Sequence, residues 1–273
     1  MLHHANARRL LIRRLLLVLL TLLAVTGCGK ARETEQESTT SAPPSQSTSP
    51  AGDYEAVEVK DGGTIDGVVL LEGPPPPPVK IRVARPSDQT VCGTEKTSHT
   101  LRVGPGGAVR DVVVYLEGIH RGRPLSSLTP PPPVDQKECQ YDPHVAIYPS
   151  GVPLELASSD PLLHNVHAYL KGGETLFNAA MPRRGMKLTK PLPPGGFVRL
   201  QCDVHSWMNA TVWISPHPYV ASTDESGRFA LSDVPPGNYT LKAWHPTLGE
   251  AVQEVEVRTG TTASVTLRMA RRP

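Results

Sequence analysis

Residues 197–214 read FVRLQCDVHSWMNATVWI, two strand-like segments on either side of a short loop. The loop carries Cys202, His205 and Met208, and a His-Asn pair, His164-Asn165, lies upstream at the end of another strand-like segment. One thiolate, two imidazoles and a weak axial thioether form the soft, nearly trigonal ligand set of a mononuclear type 1 copper site. His164, Cys202, His205 and Met208 are therefore the candidate ligands of one copper ion.

The period of two in the segment before the loop predicts where these ligands point. Val198, Leu200 and Cys202 fall on one face of a strand, which directs the thiol toward an apolar core. His164 and His167 are three residues apart and cannot share a strand face, so we expect one to be a ligand and the other to face solvent. The loop has a single cysteine, which excludes a dinuclear copper centre that needs two.

The rest of the chain predicts an all-β protein with little helix. Glycine and proline, 23 and 29 residues in all, separate short runs rich in Val, Ile, Leu and Tyr. The prolines at 74–78 and 130–133 lack backbone donors, so we expect extended surface connectors there. The predicted strands are 64–71, 80–83, 111–116, 145–148, 197–202, 210–214, 239–244, 251–257 and 263–269.

The N-terminus predicts export and a lipid anchor. Four arginines precede an apolar run, Leu15 to Ala24, that is too short to span a bilayer permanently and indicates a secretion signal over residues 1–27. Val-Thr-Gly before Cys28 resembles the lipobox of bacterial lipoproteins, and that resemblance implies that Cys28 becomes the lipidated N-terminus. Residues 28–53 have hardly any apolar side chains and are expected to be a disordered tether. We therefore expect the protein on the periplasmic side of a bacterial membrane, with inner or outer membrane left open.

Charge and cysteine usage narrow the partners and the compartment. With 28 Lys+Arg against 26 Asp+Glu, the net charge of +2 gives no indication of a nucleic-acid partner. Apart from Cys28 and Cys202, the remaining thiols are Cys92 and Cys139, which we expect to form a disulfide outside the cytoplasm. The competing interpretation, extra metal ligands, is disfavoured because neither lies in a Cys-x-x-Cys or Cys-x-x-His arrangement.

Residues 134–216 resemble the cupredoxins of the plastocyanin and amicyanin type. Tyr141-Asp142-Pro143, a turn at Gly151, His164-Asn165-Val166 and Cys202-x-x-His205-x-x-Met208 occur in the family's order, and the ligand loop has the amicyanin length. The resemblance implies a Greek-key β-sandwich, with His164 rather than His167 as the ligand. It also implies that Asn165 bonds to the loop bearing the cysteine, and that His205 lies nearest solvent and forms the electron path. Trp207 departs from the pattern, and we expect it either to narrow solvent access or to contribute to a docking surface.

A second resemblance lies at the C-terminus. Thr223 to Phe229 and Val234 to Leu241 are similar to the second half of a carboxypeptidase-regulatory-like, transthyretin-type β-sandwich. Residues 63–71 and 111–117 have the pattern of that module's opening strands. One hypothesis is a split module in which residues 54–133 supply the first half and residues 217–273 the second, with the cupredoxin inserted. The alternative is that the early strands complete the cupredoxin sheet and the tail is a smaller addition.

These resemblances imply a one-electron carrier that is held to the membrane by its N-terminal lipid. It would exchange electrons with a protein partner that the sequence does not identify. Enzymes built on cupredoxin domains need further histidines for a catalytic copper, commonly as His-x-His pairs, so we do not expect an enzyme. The remaining mature-chain histidines are scattered, and His144 in Asp-Pro-His-Val is the one most worth checking. The alternative functions are a copper-binding protein without a redox role and a structural or interaction lipoprotein of the envelope. Copper storage or delivery has little support, because the whole chain has only 5 methionines.

Overall fold

The computed structural model describes residues 54–271. Those residues form strands with one short helix, so the prediction of an all-β fold is confirmed. None of the helices within them has the length and apolar character needed to cross a membrane. The predicted signal peptide, the lipidation site at Cys28 and the tether at 28–53 lie outside the described residues.

Twenty strands, β1 to β20, and a single α-helix, α1 at Pro86–Cys92, run through this part of the chain. Each run predicted from the sequence overlaps one of them. The strands are Glu55–Ala56, Gly63–Leu71, Lys80–Arg82, Glu95–Thr97, Val113–Glu117, Arg121–Gly122, Val134–Lys137, Gln140–Asp142, Val145–Pro149, Leu154–Ser158, His164–Tyr169, Thr175–Met181, Lys187–Lys190, Gly196–Gln201, Asn209–Ser215, Val220–Ser222, Arg228–Val234, Gly237–His245, Gly249–Val257 and Thr262–Met269.

Strands β7 to β15 form one β-sandwich, here called the central sandwich. Its sheets have the orders β13-β10-β7-β8 and β12-β11-β14-β15-β9. Alternation builds its core as expected, because Val198 and Leu200 in β14 are buried while Arg199 between them is exposed. The facing sheet contributes Leu154 and Leu156 from β10 to the same core.

Strands from both ends of the described chain form a second sandwich, here called the split sandwich. Its sheets have the orders β16-β5-β18-β19 and β17-β2-β20. Strand β2 runs parallel to β20 from Thr64 to Leu71 and antiparallel to β17. Strand β5 lies between β16 and β18. The structure thus contains the pairing that the split-module hypothesis requires, with the central sandwich inserted between the two halves.

An aromatic layer joins the two sandwiches. Trp213 of β15 lies 5.5 Å from Trp244 of β18 and 4.9 Å from Tyr115 of β5, measured between ring centroids. Phe197 of β14 lies 4.5 Å from Trp244. Aromatic pairs at these spacings stabilise beyond the area that they bury, so the sandwiches share an apolar contact.

The segment that contains α1 packs in the central sandwich, although the sequence predicts that this domain begins at residue 134. It leaves the split sandwich after β2 and returns at β5, and between them Val83 and Cys92 pack in the core of the central sandwich. A disulfide joins Cys92 to Cys139, with the two Cα atoms 5.2 Å apart, so the predicted pairing is confirmed. The bond and the buried side chains hold α1 against the central sandwich.

Candidate metal centre

The loop between β14 and β15 brings three of the candidate ligands together. The two strands pair antiparallel up to Gln201 and Asn209, which makes the ligand loop a hairpin connection. The backbone N–H of Cys202 donates to the carbonyl of Met208 (3.1 Å), and that of Met208 donates to the carbonyl of His205 (2.9 Å). These bonds close the loop around the three side chains, all of which are buried.

His164 comes from the neighbouring strand, but at its beginning. The sequence suggested that a strand ends at the His-Asn pair, whereas β11 starts at His164 and runs to Tyr169. The preceding residues 159–163 do not form a strand: residues 160–162 are a bend, and the backbone N–H groups of Ser159 and Asp160 both donate to the carbonyl of Gln136. His164 is fully buried and enters the site beside the β14–β15 hairpin.

The donor atoms of three ligands converge on one point. Nδ1 of His164 and Nδ1 of His205 are 2.9 Å apart, and Sγ of Cys202 lies 3.8 Å from Nδ1 of His205. The three residues offer ligand atoms that all lie within 4.8 Å of one another. Both imidazoles thus face the thiol through the same ring nitrogen.

Two carboxylates determine which ring nitrogen carries the proton. His164 donates from Nε2 to Asp160 (2.9 Å), whose carboxylate also accepts the backbone N–H groups of Glu138 and Cys139. His205 donates from Nε2 to Asp88 of α1 (3.2 Å). An ionised carboxylate can only accept, so each neutral ring keeps its proton on Nε2 and directs a free Nδ1 lone pair into the site.

The electrostatics of the site favour a thiolate. Burial opposes charge on Cys202, but hydrogen bonds from His164, His205 and the backbone outweigh it and lower the pKa of Cys202 to about 6. Burial likewise opposes charge on His164, yet Asp160 and the Cys202 sulfur raise the pKa of His164 to about 9. A thiolate is the form of cysteine that binds metal, so the lowered pKa of Cys202 favours binding of a soft cation.

Asn165 connects β11 to the ligand loop. Its Oδ1 accepts the backbone N–H of Asp203 (2.7 Å), and its Nδ2 donates to the carboxylate of Asp203 (2.8 Å) and to Asn178 (2.8 Å). The backbone next to Cys202 is therefore fixed to the residue next to His164. This is the contact that the cupredoxin resemblance implies for Asn165.

The edge of the site at His205 is covered, contrary to the expectation that this histidine lies nearest solvent. His205 is 2% exposed, because Asp88 of α1 lies at its Nε2 and the ring of Trp207 packs against it, 5.0 Å away between centroids. Trp207 also donates from Nε1 to the carbonyl of Cys139 (2.9 Å). Of the two roles expected for Trp207, the structure places it where it narrows solvent access.

Two other histidines considered from the sequence lie outside the cluster. His144 is buried between Asp111 and Asn209, with ring-nitrogen distances of 3.2 and 3.0 Å. His167 is half-buried, with Nδ1 3.1 Å from Asp203 and Nε2 2.9 Å from Thr175. Both rings have protein partners at each nitrogen.

The sequence did not indicate the two carboxylates. Asp160 precedes His164 by four residues, and this short spacing could have suggested the pair. Asp88 lies 117 residues from His205 and belongs to a helix in a different part of the chain, so no local pattern points to it.

The comparisons with known proteins find one family model and several solved structures. A family model described as a carboxypeptidase regulatory-like domain matches residues 196–270, which is less than half of the chain. The match begins at β14, which the structure places in the central sandwich. The chain resembles carboxypeptidase regulatory-like domains in one module and cupredoxins in the other. No curated protein matches the sequence.

Solved cupredoxin structures are among those that match the chain. A purple cupredoxin from Nitrosopumilus maritimus is 23% identical over 28% of this chain and 82% of its own, with a TM-score of 0.26. A reduced amicyanin variant is 19% identical over 30% of this chain and 79% of its own, with a TM-score of 0.28. A copper-containing nitrite reductase from Thermus scotoductus is 18% identical over 31% of this chain and 23% of its own, with a TM-score of 0.26. With every TM-score below 0.5, the site geometry is the basis for a functional assignment.

Proposed function

We propose that this chain is an exported, lipid-anchored type 1 copper protein that carries one electron at a time between protein partners of the cell envelope. The observation that carries the proposal is the 2.9 Å approach of the Nδ1 atoms of His164 and His205. Because Asp160 and Asp88 lie at the two Nε2 atoms, both Nδ1 atoms face each other in a buried site beside a thiol. Two neutral rings would oppose their lone pairs there, so the site favours positive charge between them: a proton on His164 in the metal-free protein, in line with its raised pKa, or a bound cation that displaces this proton and uses every donor.

The donor set fits copper. Thiolate, two imidazoles and a thioether suit both Cu(I) and Cu(II), so bound copper would supply a one-electron couple with little change of geometry. Cys202 would be the thiolate ligand and Met208, which is 1% exposed, the weak axial one. The closed hairpin loop and Asn165 would hold these residues in the same arrangement in both oxidation states.

An electron carrier agrees better than an enzyme with the placement of the other histidines. His144 and His167 are held by protein partners at both nitrogens. His217 and His245 accept backbone N–H groups at Nδ1. These engagements support a single copper site and a function in electron transfer rather than catalysis.

The compartment follows from the N-terminus and the disulfide. The predicted signal at 1–27 and the predicted lipidation at Cys28 would place the domain outside the cytoplasm, on a membrane. The Cys92–Cys139 bond supports this part of the proposal, because such bonds persist in oxidising compartments.

A copper-binding protein without a redox role is the second candidate, and one observation favours it. His164 and His205 are 0% and 2% exposed, so the site lacks the open histidine edge at which a redox partner could approach closely. Reduction of the Cu(II) protein by a small reductant but not by any redox protein of its envelope would favour this alternative.

The test is the visible spectrum of the chain with one equivalent of Cu(II), followed by ascorbate and then air. We expect a strong thiolate-to-copper band that bleaches and returns, and that is lost in Cys202→Ser. Met208→Leu should keep copper and the band but change the reduction potential, whereas Met269→Leu, at a buried methionine of the split sandwich, should change neither. A wild-type protein without the band, or a band retained in Cys202→Ser, would contradict the proposal.

A further inference from the structure

The carboxylate on His205 comes from outside the central sandwich. Asp88 lies in α1, within the segment that leaves the split sandwich between β2 and β5, and its Oδ2 is 3.2 Å from Nε2 of His205. Both side chains are buried. Residues 164–208 contain all four candidate metal ligands. They do not contain Asp88, the carboxylate that contacts the ligand His205.

We propose that Asp88 is a positioning residue of the copper site, which acts through His205 and favours Cu(II) over Cu(I). This inference rests on the proposed function. By accepting the Nε2 proton, Asp88 keeps the Nδ1 lone pair of His205 directed into the site and increases the electron donation of the ring. Cu(II) carries one more positive charge than Cu(I), so a nearby buried carboxylate stabilises the oxidised form more strongly.

The surroundings of α1 fix Asp88 in this position. Oγ of Ser87 donates to Oδ1 of Asp88 (3.0 Å), and Nε2 of Gln89 donates to the carbonyl of Val83 (2.9 Å). At the other end of the helix, the disulfide from Cys92 attaches it to Cys139. The carboxylate is thus held against His205 by contacts on both sides of it in the chain.

Asp88 can be tested more cleanly than Asp160. The carboxylate of Asp160 also accepts the backbone N–H groups of Glu138 and Cys139, so its replacement would disturb the turn between β7 and β8. Among the hydrogen bonds of the described residues, the carboxylate of Asp88 has only side-chain partners, Ser87 and His205. Asp88→Asn therefore removes the charge with little effect on the backbone.

The experiment is a spectroelectrochemical titration of the full chain loaded with one equivalent of copper. We expect Asp88→Asn to weaken the preference for Cu(II) over Cu(I) by about 10- to 100-fold, since replacing groups that contact metal ligands has effects of this size. For a one-electron couple this raises the reduction potential by about 60 to 120 mV. Asp88→Glu, which keeps the charge, should return the potential toward the wild-type value, and Glu174→Gln, which removes an exposed carboxylate of the central sandwich, should leave it unchanged.

The outcomes separate this inference from the function on which it rests. A wild-type protein without a thiolate-to-copper band overturns the proposed function. A wild-type protein with the band and an Asp88→Asn variant of equal potential overturns the role of Asp88 alone. If the variant does not fold, proton NMR of the wild-type Cu(I) protein decides: an Nε2 proton of His205 that is shifted downfield and protected from solvent exchange by a hydrogen bond supports the inference, and one that exchanges freely overturns it.

Discussion

At the scale of single residues, Asn165 shows how one side chain can organise a metal loop. Its Oδ1 satisfies the backbone N–H of Asp203, the residue after the candidate thiolate, while its own backbone continues from His164. The side chain is 7% exposed, so water cannot readily replace the amide. Ligands from two different strands are thereby kept at a constant separation.

Replacing Asn165 with alanine should destabilise the protein and weaken copper binding. The substitution leaves the N–H of Asp203 without its acceptor, which we expect to lower the free energy of unfolding by about 1 to 3 kcal/mol. Urea denaturation of the copper-free protein and a copper competition titration measure the two effects. Asn178→Ala is the matched control, because Asn178 contacts the same carboxylate from an exposed position but not the backbone. Equal effects in both variants would contradict this role for Asn165.

At the scale of elements, α1 is the piece that the strand pattern did not predict. Its residues, PSDQTVC, begin with proline, which suits the first turn of a helix. A single helical turn or two has little stability of its own, so tertiary contacts must hold it. The burial of Cys92 and its bond to Cys139 supply them.

Removing the disulfide should cost stability without unfolding the protein at room temperature. The bond closes a separation of 47 residues, for which the chain-entropy model gives about 4 kcal/mol. Urea unfolding of a Cys92→Ala, Cys139→Ala double variant should show this loss relative to wild type. Dithiothreitol should lower the stability of the wild type toward that of the variant and leave the variant unaffected. A loss below 1 kcal/mol would mean that other contacts hold α1.

At the scale of the molecule, the two sandwiches depend on one another through chain connectivity. Strands β2 and β5 precede the central sandwich, and all of their neighbours within the split sandwich, β16, β17, β18 and β20, follow it. The core of the split sandwich, which includes Ile65 and Leu116, therefore forms only when both halves are present.

A chain of residues 54–216 should fail to fold as a soluble monomer. It would keep the candidate ligands but expose the apolar faces of β2 and β5, which have no partners without β16 to β20. A chain of residues 54–271 is the control. Size-exclusion chromatography and a thermal melt followed by circular dichroism compare the two. A monomeric 54–216 chain with a cooperative melt would show that the central sandwich folds alone.

Acid should destabilise the whole molecule through two buried histidines. Burial lowers the pKa of His217 to about 4, and burial together with His144 lowers the pKa of His245 to about 4, against the ordinary 6.5. Because each folded-state pKa lies below the unfolded one, the stabilisation is fully present above pH 6.5, is lost progressively as the pH falls from 6.5, and is gone below pH 4. Linkage gives about 2 kcal/mol for each histidine between pH 7 and pH 5.

Asparagine variants isolate this effect. His217→Asn and His245→Asn can keep an acceptor near the position of Nδ1 but cannot take up the proton, so the loss of unfolding free energy from pH 7 to pH 5 should shrink in each by about 2 kcal/mol. His120→Asn, at an exposed histidine, should keep the wild-type pH dependence. Comparison with wild type removes the contribution of His164, whose raised pKa acts in the opposite direction. Unchanged pH dependence in the two buried variants would contradict the prediction.

The sequence by itself determined the all-β class, the strand that carries Cys202 and the identity of the candidate donor atoms. These properties depend on local periodicity and on the chemistry of side chains within one short loop. Proline-rich segments were likewise readable as connectors, because a missing N–H excludes them from central strands whatever surrounds them. The pairing of Cys92 with Cys139 followed from the expected compartment and the number of thiols.

Only the tertiary structure decided which groups surround those donors. Asp88 contacts His205, 117 residues away in sequence, and β2 pairs with β20, nearly two hundred residues later. Folding brings these segments together although no local pattern relates them. The burial of His205 has the same origin, since a helix from another part of the chain covers it. Local physical chemistry thus selected the ligands, whereas long-range packing determined their protonation, their access to solvent and the surroundings of the site.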